Sequence, residues 1–272
     1  MGDFSNYSLI TTAVGKLKAV SPIRVGAGKE FSVVTSDLPV IKNSKGEPII
    51  PGSSIKGFFR GNLEKILLAK MKEREANELL NEIFGGAEER DHASAILFHE
   101  IPVKDKTGKV IERKHIAINP ETGGTRKGSP FDVECVTDGT IFEGKIFSAR
   151  NLHPKALALL KPVMDLMNLG VARLGGFKSR GYGEVAIELD ELRLIFPGRD
   201  LKDLSQEFEV KNLIPEKFDS LRVKKVNSDV EIAKNVFKAD IIENSTFFGV
   251  EIRLKGEEVS KFFDSMLRMV KL

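Results

Sequence analysis

Apolar residues at Leu9, Ala13, Leu17, Ala19, Ile23 and Val25 recur mostly at spacings of two or four, which predicts a central strand over residues 9–25. A polar stretch then runs from Gly26-Ala27-Gly28-Lys29-Glu30 to Pro39, a long excursion from the sheet rather than a tight hairpin. Behind Pro51-Gly52-Ser53-Ser54, the positions Ile55, Phe58, Phe59, Leu63, Ile66, Leu67 and Met71 follow a helical period, with serine expected as the cap. A second helix is predicted over 75–84, stopped by Gly85-Gly86. Ala95, Leu97, His99 and Ile101 then alternate as one face of a strand.

From 103 to 130 the pattern dissolves. Lys104, Lys106, Lys109, Arg113, Lys114, Arg126 and Lys127 surround Gly123-Gly124 with little apolar content, as suits a basic protruding arm. Strands return over 131–136 and 140–148 and read as an antiparallel pair. A helix over 154–168 starts at Pro154, is expected to kink or break at Pro162, and stops at Gly170. The glycine-rich stretch 174–183 leads into a strand over 184–196, where the core closes. The remaining tail carries a strand-like run over 246–254 and an amphipathic helix with Val259, Phe262, Phe263, Met266 and Leu267. This order predicts an α+β fold with a ferredoxin-like βαββαβ core, which is also the RNA-recognition-motif topology. The core occupies residues 1–196 with the arm inserted near 103–130; residues 197–272 form a C-terminal extension or a small second lobe.

Composition narrows the class. With 41% apolar and 30% charged residues among 272, the chain is a soluble globular protein and not a disordered one. Its 42 basic and 39 acidic residues leave only +3, so any nucleic-acid signal has to come from local placement. The lone thiol, Cys135, sits in an alternating apolar run and reads as a small core residue in a reducing compartment. With no basic and apolar leader at residues 1–7 and no run of 18 apolar residues, a cytoplasmic location without membrane contact is expected.

Candidate chemistry is sparse. Gly26-Ala27-Gly28-Lys29 lacks the earlier glycine and the following Ser/Thr of a P-loop, which excludes an NTPase of that type. His92, His99, His115 and His153 are scattered without metal-ligand spacing. The stretch 174–183 allows close backbone approach, and Arg173, Lys178 and Arg180 bring positive charge with no acid between residues 170 and 183. A helix beginning near Pro51 would offer free N–H groups, a positive dipole end and the ammonium of Lys56, which together suit a phosphate. Plainer roles fit the same residues: Ser53 and Ser54 as caps, Lys56 and Arg60 as a solvated helix face, Asp37 as a cap on the turn before Pro39.

Taken together, several segments resemble the RAMP family in the family's order. They are Arg24-Val25-Gly26-Ala27-Gly28, then Asp37-Leu38-Pro39-Val40-Ile41-Lys42, then Ile50-Pro51-Gly52-Ser53-Ser54-Ile55-Lys56-Gly57. His115-Ile116-Ala117-Ile118-Asn119-Pro120-Glu121-Thr122-Gly123-Gly124 and Leu174-Gly175-Gly176-Phe177-Lys178-Ser179-Arg180-Gly181-Tyr182-Gly183-Glu184-Val185 complete the resemblance, which covers residues 8 to about 196. The likeness is greatest to the repeated backbone subunit of type III (Csm and Cmr) CRISPR effector complexes. That resemblance implies a subunit that stacks in copies along a guide RNA, kinks it with a thumb-like hairpin, and cuts the paired target RNA in a metal-dependent way.

The resemblance places Asp37 at the catalytic and metal-binding position, with Mg²⁺ or another divalent cation. It assigns RNA binding to Arg24, Gly26, Gly28, Lys42, Ser53, Ser54, Lys56, Arg60, Thr122, Arg126, Lys127, Lys178, Ser179 and Arg180. Expected partners are guide RNA, target RNA, further copies of the chain and other effector subunits. Asn119-Pro120 departs from the Asp-Arg common before the Thr-Gly segment, and the tail exceeds the compact form of the family. Two other readings stay open, a scaffold that binds RNA without cutting it, and a guide-processing ribonuclease using a histidine as general acid or base.

Overall fold

Alternation of half-buried and buried positions carries the first strand, β1 (Ile10–Ala19), with Thr11, Ala13, Leu17 and Ala19 turned to the core. The structure, a computed structural model, describes residues 6–26, 38–86, 93–104, 109–116, 118–125, 131–244 and 248–271. After β1 come β2 (Ile49–Ile50), α1 (Gly52–Leu68), α2 (Glu73–Phe84), β3 (Ile96–Phe98), β4 (Ile101–Pro102), β5 (Val110–His115), β6 (Phe131–Val136), β7 (Ile141–Arg150), α3 (Pro154–Ala158), α4 (Leu160–Asn168) and β8 (Val185–Phe196). The tail adds α5 (Leu201–Gln206), β9 (Phe208–Val210), β10 (Leu221–Val226), β11 (Asp229–Ile232), β12 (Asn235–Phe237), β13 (Asp240–Glu243), β14 (Val250–Lys255) and α6 (Glu257–Arg268).

The protein is α+β, and its strands pair mostly antiparallel. The main sheet runs β13-β14-β8-β1-β7-β3, every neighbour antiparallel. Helix α1 buries Ile55, Phe58, Phe59, Leu63 and Leu67 and packs on β3, while α4 and α6 pack on β8. The tail forms a second sheet, β12-β11-β10-β9, before β13 and β14 rejoin the first. One hydrophobic cluster runs from Leu9 through Met266 and includes Phe208, Val223 and Phe237 of the tail. Among the described residues, no helix is long and apolar enough to cross a membrane.

Several sequence expectations change. Strand β1 stops at Ala19 instead of reaching residue 25, because Val20 and Ser21 donate to the Glu184 carbonyl, Pro22 has no N–H, and Ile23 bridges Val136. The strands over 131–136 and 140–148 do not pair with each other. Strand β6 pairs with β5, which the charged run Glu112-Arg113-Lys114 had hidden inside the arm, and β7 is taken on both sides by β1 and β3. The face of β3 is opposite to the expected one: Ile96 is buried and Leu97 is exposed, as their partners Ala149 and Ser148 require. The break expected from Pro162 in the helix over 154–168 is present and falls at Leu159, between α3 and α4. The proline ring crowds the carbonyl four residues back and has no N–H to give it, so Pro162 falls in the first turn of a new helix.

His153 joins the tail to the core. It caps α3 by accepting the Lys155 N–H at Nδ1 (3.0 Å), which leaves Nε2 to donate to the Asp219 carbonyl (2.9 Å), and its ring lies 5.2 Å from that of Phe218. Burial pushes its pKa down to about 4. The folded pKa therefore lies below the unfolded value of about 6.5, so the neutral ring contributes stability that is complete above that pH and is lost as pH falls toward 4. Unfolding in urea should show wild type losing about 3 kcal/mol more than His153→Asn between pH 7 and pH 4, since asparagine keeps an acceptor for the cap but does not titrate. Parallel pH profiles for the two proteins would sink this prediction.

Candidate nucleic-acid interface

The glycine-rich stretch is a loop zipped onto the chain that leaves β1. Leu174 donates to Gly183, Gly183 to Pro22, and Gly176 to Arg24, each at 2.8 Å. Gly175 sits at φ +86°, and a Cβ there would lie 2.2 Å from the Arg24 carbonyl, so glycine is required by contact with protein backbone rather than by a phosphate. Beyond this zipper, Lys178–Arg180 form a short 3₁₀ turn between two left-handed residues, Phe177 (φ 56°) and Gly181 (φ 86°). Lys178, Ser179 and Arg180 are exposed, and among the described residues neither cation has a carboxylate partner.

Arg24 lies half-buried beside this turn. Its guanidinium occupies the space beside Gly26, where a Cβ would lie 2.6 Å from Nη2, a contact that a shift of the flexible arginine end could relieve. Burial lowers its pKa, and its Nε is buried with no hydrogen-bond partner among the described residues. The Arg24 guanidinium sits 5.4 Å from the Phe177 ring centre and that of Arg180 5.3 Å from the same ring. Such contacts contribute roughly 0.5–1 kcal/mol each at exposed sites.

Phe177 in turn holds the arm. Its ring stacks on His115 (5.5 Å, 18°), and His115 stacks on its cross-strand partner Phe131 (5.6 Å, 20°). Tyr182 Oη lies 2.9 Å from His115 Nε2, and Arg113 covers the Tyr182 ring at 5.7 Å. Burial first, then the charges of Arg180 and Arg113, holds the His115 pKa below the usual imidazole value. His115, Phe131, Phe177, Tyr182 and Arg113 were not singled out as binding residues from the sequence. A readable signal existed, namely aromatics at both ends of the basic run 177–182, the interleaving that nucleic-acid surfaces use.

The start of α1 faces the same loop. Pro51 is its N-cap and no side chain among the described residues caps it, so Ser53 and Ser54 do not serve as the expected caps. Ser54, Gly57, Phe58, Gly61 and Lys65 form one wall of a groove whose other wall is 171–175 with Lys178, which brings Ser54 and Lys178 together. Burial, then the nearby Arg60, lowers the Lys56 pKa. Arg60 itself donates to the Gly85 carbonyl (2.7 Å) and Asn81 Oδ1 (2.8 Å), closing the end of α2. Lys42 is ion-paired with Glu134 at 3.0 Å.

On the arm, Ile118 bridges Thr125 around a turn in which Asn119 Oδ1 accepts the Glu121 N–H (3.0 Å) and Thr122 Oγ1 faces the Gly124 N–H (3.4 Å). Gly28, Asp37, Arg126 and Lys127 lie outside the described residues. Among the described residues, no three His, Cys, Asp or Glu side chains are placed to hold a metal ion. Glu134, on the strand that Leu38 bridges, is engaged by Lys42 and by the Val40 N–H (3.0 Å).

A family model for the RAMP superfamily matches residues 16–186, more than half of the chain. The chain is 25% identical over 206 residues to the "CRISPR system Cms endoribonuclease Csm3" of Streptococcus thermophilus, covering 70% of this chain and 93% of that protein. It is 27% identical over 217 residues to the protein of the same name from Enterococcus italicus, covering 71% and 96%. The second sheet and α6 lie beyond the family match.

Proposed function

Because the chain belongs to the RAMP superfamily, we propose that it is a guide-RNA-binding backbone subunit of a type III CRISPR effector complex and an endoribonuclease that cuts the target RNA paired to the guide. Support for this class comes from the two relatives, whose names give a CRISPR system and an endoribonuclease. The observation that supports RNA binding is a set of cations without carboxylate partners among the described residues, Arg24 on the chain that leaves β1 and Lys178 and Arg180 on the loop zipped to it. In the rest of the chain many basic groups are neutralised, among them Lys42, Arg173 and Arg253. Free cations of this kind suit phosphates, which any guide sequence presents alike.

We also infer that the core is ferredoxin-like. In its favour, β1, β3, β7 and β8 with α1 and α4 between them alternate as βαββαβ, and their order β8-β1-β7-β3 interposes a strand between the two ends of each βα unit. For cleavage, we assign Asp37 the catalytic carboxylate and a divalent cation as cofactor. The described residues supply no set of three donors, so such a cation would complete its shell with RNA phosphates and water, as Mg²⁺ commonly does.

The test is the complex assembled on a guide and given matched, end-labelled target RNA. Cuts at a regular interval, one per stacked copy and dependent on a divalent cation, are expected. A complex that binds the guide and never cuts is a scaffold. Cutting of precursor guide RNA without metal, dependent on one histidine, would replace this reading with guide processing.

A further inference from the structure

We infer that Phe177, backed by His115, is a base-stacking shelf on which one guide nucleotide per subunit rests, with Arg180 moving from the ring to that nucleotide's phosphate. The inference rests on the guide-binding reading and adds to it a contact to a base face, made by residues that no phosphate contact explains.

Phe177 adopts a left-handed backbone conformation (φ 56°, ψ 29°) at the entry to the basic turn, which a bulky residue occupies only at a cost. The consequence is positional. The residue before the basic turn is swung so that its ring meets His115 nearly parallel and stays half-buried, not in the core. His115 is itself fixed by Phe131 and by Tyr182 Oη, so the shelf is rigid before any ligand arrives.

Two guanidiniums lie on this ring, and they are not equivalent. Arg24 is half-buried, with its guanidinium beside Gly26 and Gly176. Arg180 is exposed, and among the described residues its ring contact with Phe177 is what holds it. Stacking of a base on an aromatic ring is stronger than an exposed cation–ring contact, so a base displaces Arg180. The freed guanidinium gains a phosphate oxygen, a charge-assisted bond better than the one it leaves.

The test uses the full chain and guide-length RNA at several salt concentrations. Phe177→Leu should lose roughly tenfold in affinity with an unchanged salt slope, because a stack releases no counterions. Arg180→Gln should flatten the slope, and Phe177→Trp should bind at least as well as wild type. A series of guides with one abasic nucleotide each locates the contact: wild type should lose affinity at periodic positions, and Phe177→Leu should be indifferent to them. Wild-type affinity in Phe177→Leu, a flattened slope in that variant, or a penalty that persists with every abasic guide would overturn the shelf. A wild-type chain that binds no RNA would instead overturn the guide-binding reading beneath it.

Discussion

Asp37→Ala should reduce target-RNA cleavage by roughly a hundredfold or more while guide binding and assembly stay near wild type. Removing one group that stabilises charge developing at the attacked phosphate costs this much in other hydrolytic enzymes. Assembly should survive because the neighbouring anchor is backbone: Leu38 bridges Val133, and its carbonyl accepts the Glu134 N–H at 3.1 Å, neither of which needs the side chain before it. The proposed binding cations stand on the β1 exit and the glycine-rich loop, and the β1 exit is joined to the segment after Asp37 by backbone, Ile41 N–H donating to the Val25 carbonyl at 2.9 Å. Single-turnover cleavage on a matched target, with guide affinity measured in parallel, checks both halves. Cutting at the wild-type rate would remove Asp37 from the chemistry, and loss of guide binding would make its role structural.

The second large effect concerns charge. Arg24→Gln, Lys178→Gln and Arg180→Gln combined should weaken guide binding on the order of a hundredfold at physiological salt and flatten the dependence of affinity on salt by about two units. Each phosphate contact to single-stranded RNA contributes roughly 0.7 to that slope, so three lost contacts set the size. Lys42 and Arg60 are left out because Glu134, Asn81 and Gly85 already occupy them; Arg60→Ala is expected to loosen α2 from α1. Titrations at a series of salt concentrations give affinity and slope together. Unchanged slope with reduced affinity would mean that the loop, rather than its charges, had been damaged.

What was legible in the sequence follows from the range of the interactions. Helix α1 was readable because Ile55, Phe58, Phe59, Leu63 and Leu67 repeat the helical period, and burial on one face enforces it. Pairing was harder to read. Strands β6 and β7 are consecutive, which favours a hairpin, but β7 was claimed by β1 and β3, and nothing local in Phe131–Val136 announces β5 as its partner. The loop residues 174–183 were located as a candidate site, yet the reason for Gly175 lies some 150 positions earlier in the chain, at the Arg24 carbonyl. His115 looked like a scattered histidine until the Val110–His115 and Phe131–Val136 ladder set it against Phe131 and the loop brought Phe177 to it. Ser53 and Ser54 matched a cap by residue type, but the chain entered the helix at Pro51.

The way the tail rejoins the main sheet bears on solubility. Without it, the twelve-residue strand β8 would form an outer edge, a long row of unpaired N–H and C=O groups that invites pairing with any other extended chain. Strand β14 covers half of that row from Phe196 back to Glu191, and β13 outside it is only four residues long, with Asp240 and Glu243 at its ends and Lys255 paired to Asp240. A short, charged rim is a poor template for sheet growth. In the proposed assembly, copies of this chain brought close together along one RNA would thereby be kept from fusing edge to edge, with their spacing left to the RNA and to the contacts it organises.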